Sequence, residues 1–110
     1  AVLAARHHGV GHRAEELRPE TFLKTFEALD VFRRPERFEQ FVLACEADFR
    51  GRTGHAERDY PQANIWRQAF KAARSVDTSV LAGSGSGPEI AERLRQLRIT
   101  AIRQVVSSKD

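Results

Sequence analysis

The chain has 110 residues, a single cysteine, no methionine, and only one tryptophan and one tyrosine. A lone Cys45 cannot close an internal disulfide, which excludes a disulfide-stapled secreted domain and makes a reducing, cytoplasmic setting the expectation. No stretch approaches the ~18 uninterrupted apolar residues that a membrane span requires, so no membrane partner is expected. The opening, AVLAARHHGVGH, has neither the long apolar core nor the small-residue cleavage site of a secretory signal. There is no G-x-S-x-G, no P-loop, no dinucleotide glycine pattern and no CxxC, so the residues offer none of those active sites. The first residues also lack a methionine and a helix-starting residue, and the chain reads as a domain excised from a longer protein.

What the sequence does hold is charge and helical period. Hydrophobic residues make up 41% and charged residues 30%, a soluble globular balance. The basic residues are 15 Arg and 3 Lys against 15 acids, for a net charge of +3. That balance is compatible with a polyanionic partner, and arginine grips phosphate bidentately where lysine cannot. A codon preference for arginine would give the same excess.

Each of the four prolines sits where a helix can begin. Pro19, Pro35 and Pro88 precede glutamates and Pro61 precedes Gln62, matching the tolerance of a first turn for proline and for negative charge. Apolar stripes at helical spacing follow: Phe22, Leu23, Phe26 and Leu29; Phe38, Phe41, Val42, Cys45 and Phe49; Ile65, Trp66, Ala69, Phe70 and Ala73; and Ile90, Leu94, Leu97, Ala101 and Val105. Nothing alternates with period two, so the expected fold is all-α, a bundle-like arrangement of about five helices. An opening helix should end at Gly9 and Gly11, a charged loop should run from Gly51 to Asp59, and Gly83–Gly87 should form a hinge. Seven phenylalanines on single-stripe helices suggest apolar surface that a neighbour would cover, and such an open stripe would also permit a homodimer.

Three groups of residues could carry chemistry. His7, His8 and His12 cluster near the start, and His8 and His12 have the i, i+4 spacing of paired metal ligands, although Gly9 and Gly11 argue against a regular helix there. Asp48 falls about 20° from Phe41 and about 60° from Cys45 around a helix, at the flank of the apolar stripe. A carboxylate turned toward a core needs a partner, and the choices are Arg50, Arg52 or a metal shared with the histidines. The third group is basic. Arg67, Lys71 and Arg74 recur along the face opposite the apolar stripe, where acids are sparse, and Arg50, Arg52, His55 and Arg58 crowd the preceding loop. Arg93, Arg95, Arg98 and Arg103 decorate the last helix. These residues suit RNA phosphates; an ordinary solvated face is the competing reading. Cys45, in mid-stripe, is expected to be a small core residue.

The run EADFRGRTG (Glu46–Gly54), then DYPQ (Asp59–Gln62) and GSGPEIAERLRQLRITAI (Gly85–Ile102), with the opening RHHGVGH and RPETFLKTFEALDVFRRPERFEQF between, resemble bacterial CCA-adding enzymes. The closer likeness is to the multifunctional tRNA nucleotidyltransferases that carry a metal-dependent phosphohydrolase domain of the HD type. This resemblance covers nearly the whole chain and implies the C-terminal portion of a longer enzyme. Residues 1–50 would be the back half of the HD-type domain, and 51–110 a C-terminal helical segment that binds tRNA or is structural. The parent would add C, C and A to tRNA, with CTP, ATP and magnesium bound in an N-terminal head whose motifs are not found here. By position His8 (or His7) and Asp48 match a later histidine and the final aspartate of the HD set, which would hold a divalent metal, a transition metal such as nickel included. Without the His-Asp doublet no metal is expected to bind tightly, and this portion alone is expected to be inactive. Arg50, Arg52, Arg67, Lys71 and Arg74 are the RNA-binding candidates. The two other readings are a metal-dependent phosphohydrolase acting on 2′,3′-cyclic phosphates and phosphate monoesters, and a purely structural helical module.

Overall fold

The structure, a computed structural model, describes residues 17–51, 59–83 and 85–106. They form four α-helices: α1 (Pro19–Leu29), α2 (Glu36–Arg50), α3 (Gln62–Arg74) and α4 (Gly87–Val106), with a 3₁₀ turn at Thr78–Leu81. No strand occurs among the described residues, so the all-α expectation holds. The opening helix expected before Gly9 lies outside the described residues, and the 3₁₀ turn has no counterpart in the sequence reading.

The prolines do what their positions suggest. Pro19 is the first residue of α1, Pro35 and Pro61 cap α2 and α3, and Pro88 lies in the first turn of α4. In these places the missing N–H breaks no intrahelical bond. The end of α1 is closed by a Schellman arrangement. Asp30 adopts a left-handed backbone (φ 57°), its N–H donates to the Glu27 carbonyl, and the Val31 N–H reaches back to the Phe26 carbonyl. Val31 is thereby turned into the core, fully buried.

The start of α4 is a built turn. The Ser86 N–H donates to Glu89 Oε1 at 2.9 Å, and the Glu89 N–H faces Ser86 Oγ at 3.4 Å, the reciprocal pattern of a capping box. Gly85 stands at φ 135°, a backbone that L side chains rarely adopt, and a Cβ there would also press on Glu89 Oε1. Asp77 starts the 3₁₀ turn in the same spirit, accepting from the Ser79 N–H at 3.0 Å and the Ser79 hydroxyl at 2.7 Å. Both carboxyls are consequently held below their ordinary range, Glu89 chiefly by the Ser86 backbone N–H and Asp77 chiefly by the Ser79 hydroxyl.

One buried cluster holds the helices together. It takes Phe22, Leu23 and Phe26 from α1, Phe38, Phe41, Val42 and Cys45 from α2, Ile65, Trp66, Ala69, Phe70 and Ala73 from α3, and Ile99 and Ile102 from α4. Trp66 is fully buried and meets Phe22, Phe26 and Phe41 edge-on at centroid distances of 4.8, 5.9 and 4.8 Å. Phe26 also meets Phe32, Phe38 and Phe70 in T-shaped contacts, while Phe38 and Phe70 stack at 4.3 Å.

Two sequence expectations are corrected by this packing. The seven phenylalanines do not await an outside neighbour, because five are buried in this cluster and Phe32 and Phe49 pack against it. Among the described residues the exposed large apolar side chains are Leu43, Val80 and Leu97 instead. The buried face of α4 is also rotated from the expected stripe. Ile99 and Ile102 are its buried residues, Leu97 is exposed, and Arg98 takes a half-buried place beside them. Its guanidinium lies 3.8 Å from the Phe32 ring centroid, so a cation–π contact fills a position where the period calls for an apolar residue.

Two outcomes follow for stability. Trp66→Ala should remove about 3–5 kcal/mol, read by urea unfolding followed by circular dichroism because Trp66 is the only tryptophan. Trp66→Phe should cost less than half of that, since it keeps a ring and deletes an indole N–H that has no hydrogen-bond partner. The second outcome concerns pH. A depressed carboxyl contributes stability above its unfolded pKa, about 4.3 for Glu, and loses it as pH falls through the lower folded value. The melting-temperature gap between the unaltered chain and Glu89→Gln should therefore be widest above about pH 5 and close on acidification; a gap independent of pH would contradict the capping role.

Candidate nucleic-acid interface

The polar face of α3 follows from its sequence. With Ile65, Trp66, Ala69 and Phe70 buried, the 3.6-residue period turns Arg67, Lys71 and Arg74 outward, and all three are exposed. They line a cleft of about 580 Å³ between α3 and the first turn of α2, together with Pro35, Glu36, Phe38, Glu39, Phe70 and Ser75. The three cations differ in what they touch. Arg67 is held by Glu39 of α2 in a two-pronged contact, Nε to Oε2 at 3.3 Å and Nη2 to Oε1 at 3.0 Å. That carboxylate also raises the Arg67 pKa. Arg74 lies with its guanidinium 5.1 Å from the Phe70 ring centroid. Lys71, between them, is exposed; its backbone carbonyl accepts from the Ser75 hydroxyl at 2.7 Å, and its ammonium has no partner among the described residues.

The face is therefore less purely basic than α3 alone suggests. Acids are sparse along α3, but α2 brings Glu36 and Glu39 to the same cleft. Glu39 lies 28 residues from Arg67, so no local spacing could have announced the pair. Other arginines pair within one helix or across helices. Arg50 pairs with Glu46 one turn back on α2, at 2.9 Å, and Arg95 of α4 grips Glu27 of α1 at 3.1 Å. Burial lowers the Arg98 pKa, with Glu27 opposing, and the Arg98 Nε is buried without a hydrogen-bond partner. Arg52 lies outside the described residues.

The metal candidates are not brought together by what is described. His7 and His8 lie outside the described residues. Asp48 is exposed rather than turned toward the core, because the buried face of α2 centres on Phe38, Phe41, Val42 and Cys45. Among the described residues no group of three or more His, Cys, Asp or Glu side chains converges as a metal site. One carboxylate does not by itself make a divalent-cation site, and the histidines that the resemblance pairs with Asp48 lie outside the described residues. Cys45 has the place expected of it: it is 2% exposed and hydrogen-bonded with Tyr60. Burial pushes its thiol up to about 11, the Tyr60 hydrogen bond working in the opposite direction. The Tyr60 hydroxyl is raised as well, mainly by burial.

The fold and the face define an all-α module with an exposed cluster of cations along one helix. In sequence, the chain is 54% identical over 110 residues, 99% of its length, to a multifunctional CCA protein of Nitrosococcus oceani. It is 52% identical over 106 residues to the multifunctional CCA protein of Thioalkalivibrio sulfidiphilus, and 47% over 104 residues to that of Pseudomonas fluorescens. The chain spans about a quarter of the length of these curated relatives, 27%, 26% and 25% in turn. It is therefore homologous to one portion of the multifunctional CCA proteins, as its motifs indicate. No family model matches the chain, and no solved structure matches it.

The buried thiol supplies a simple check on the packing. Cys45 should resist a thiol reagent at pH 8 in the folded chain and react fully once urea unfolds it, because both access and thiolate formation are suppressed. Rapid labelling without denaturant would contradict the placement of Cys45 and Tyr60.

Proposed function

We propose that this chain is the C-terminal helical portion of a tRNA nucleotidyltransferase that adds CCA to tRNA 3′ ends, and that it helps to hold the tRNA body. The observation that carries this reading is the identity of about one half, over nearly the whole chain, to proteins named for CCA. In this reading CTP, ATP and magnesium are bound in a catalytic head elsewhere in the parent, in the cytoplasm, and the present residues catalyse nothing themselves. The boundary near residue 50 separates the remainder of an HD-type domain from the helical segment, although the buried cluster draws on both sides of it.

The chemistry available to the chain is electrostatic. Lys71 and Arg74 are one turn apart on the same side of α3, and a polynucleotide phosphate beside them would release condensed counterions. Arg50, in the last turn of α2, and Arg52, which follows it in sequence, are the further RNA-binding candidates of this reading. The phosphohydrolase reading keeps Asp48 as an exposed carboxylate and His7 and His8 as its partners, but no described geometry favours it.

Titration of labelled tRNA with the chain at several salt concentrations tests the proposal. Affinity should fall steeply with salt. Lys71→Glu combined with Arg74→Glu should weaken binding roughly tenfold or more at ~0.1 M salt and flatten the log–log salt slope by about 1.5. Unchanged affinity in that double variant would leave the face with a structural role only.

A further inference from the structure

The contact between Arg67 and Glu39 deepens the RNA-binding reading and rests on it. We infer that Glu39 is an internal stand-in for an RNA phosphate, holding Arg67 while the face is empty and yielding it to a backbone phosphate when RNA docks.

Four observations carry the inference. The contact engages both carboxylate oxygens, with Nε and Nη2 of Arg67 each directed at one of them. A guanidinium fork donates to two oxygens of a phosphate in the same way. Both side chains are about half exposed, 47% for Arg67 and 53% for Glu39, and an exposed pair of this kind contributes little, so it can be exchanged for a better anion. The pair stands in the same cleft as Lys71 and Arg74, so a phosphate drawn to Lys71 meets Arg67 one turn earlier on the same helix face. Finally, the partners belong to different helices whose packing is set by buried rings. Phe38 and Phe70 stack directly beneath the cleft, so releasing the ion pair leaves the α2–α3 contact in place.

The exchange makes Glu39 a determinant of affinity although it never touches RNA. Its carboxylate competes for Arg67, and with Glu36 on the same rim it repels an approaching polyanion. Neutralising it at nearly constant shape should free one cation for RNA.

The test is Glu39→Gln, titrated with labelled tRNA across a salt series beside the unaltered chain. The variant should bind roughly three- to tenfold more tightly at low salt with a nearly unchanged log–log salt slope, because Arg67 meets a phosphate in both complexes and only its competitor is removed. Adding Arg67→Gln should abolish that gain. If the unaltered chain binds and Glu39→Gln leaves the affinity unchanged, Arg67 is a fixed strut and the inference is overturned while the RNA-binding reading stands. If the unaltered chain does not bind tRNA, the reading falls and the inference with it. A melting temperature lowered by more than about 8 °C in Glu39→Gln would also overturn it, because the pair would then be too strong to exchange.

Discussion

The arrangement depends on a knot of aromatic rings. Trp66 of α3 receives Phe22 and Phe26 from α1 and Phe41 from α2, all edge-on, and Phe26 and Phe38 extend the contacts to Phe70. Edge-to-face rings are directional, so these contacts fix helix rotation as well as proximity. The Schellman turn at Asp30 serves the same end by bringing Val31 inward immediately after α1. Burial of so many rings also explains how a chain with one tryptophan and one cysteine can hold three helices without covalent staples.

Fixing the rotation of α3 has a functional consequence on its outer side. Once Trp66 and Phe70 face the knot, Arg67, Lys71 and Arg74 must face solvent, and the adjoining turn of α2 must present Glu36 and Glu39 to them. The exposed face is thus a by-product of core geometry, with cations of three kinds: one paired with a carboxylate, one over a ring, and one open to solvent. Such a graded set suits a surface that contacts a polyanion without binding every polyanion tightly.

The fourth helix shows how a polar residue can serve a core. α4 begins at a capping box that requires Gly85, Ser86 and Glu89, which gives the GSGPE run a local physical reason. Farther along, Arg98 lies over Phe32 and Arg95 reaches Glu27. These two arginines fasten α4 to α1 and to the segment after it. A charged side chain that spreads its guanidinium over a ring covers apolar surface while keeping its charge near solvent.

How much of this was legible follows from what is local. Helix starts at Pro19, Pro35, Pro61 and Pro88, the stripes of α1 to α3, the buried Cys45 and the outward Arg67, Lys71 and Arg74 were readable because proline chemistry and the 3.6-residue period act within one helix. The face of α4 was misread because Arg98 interrupts its apolar pattern, and the side on which Asp48 lies was misread because a flank position can settle either way. Neither Glu39 beside Arg67 nor Arg98 over Phe32 has a signature in spacing, since each joins elements distant in the chain. The sequence by itself determined the all-α class, the helix boundaries and which α3 residues face out, because those depend on backbone period and capping. Only the tertiary structure decided which of those cations already has an anion, because that depends on the angle at which the aromatic knot sets α2 against α3.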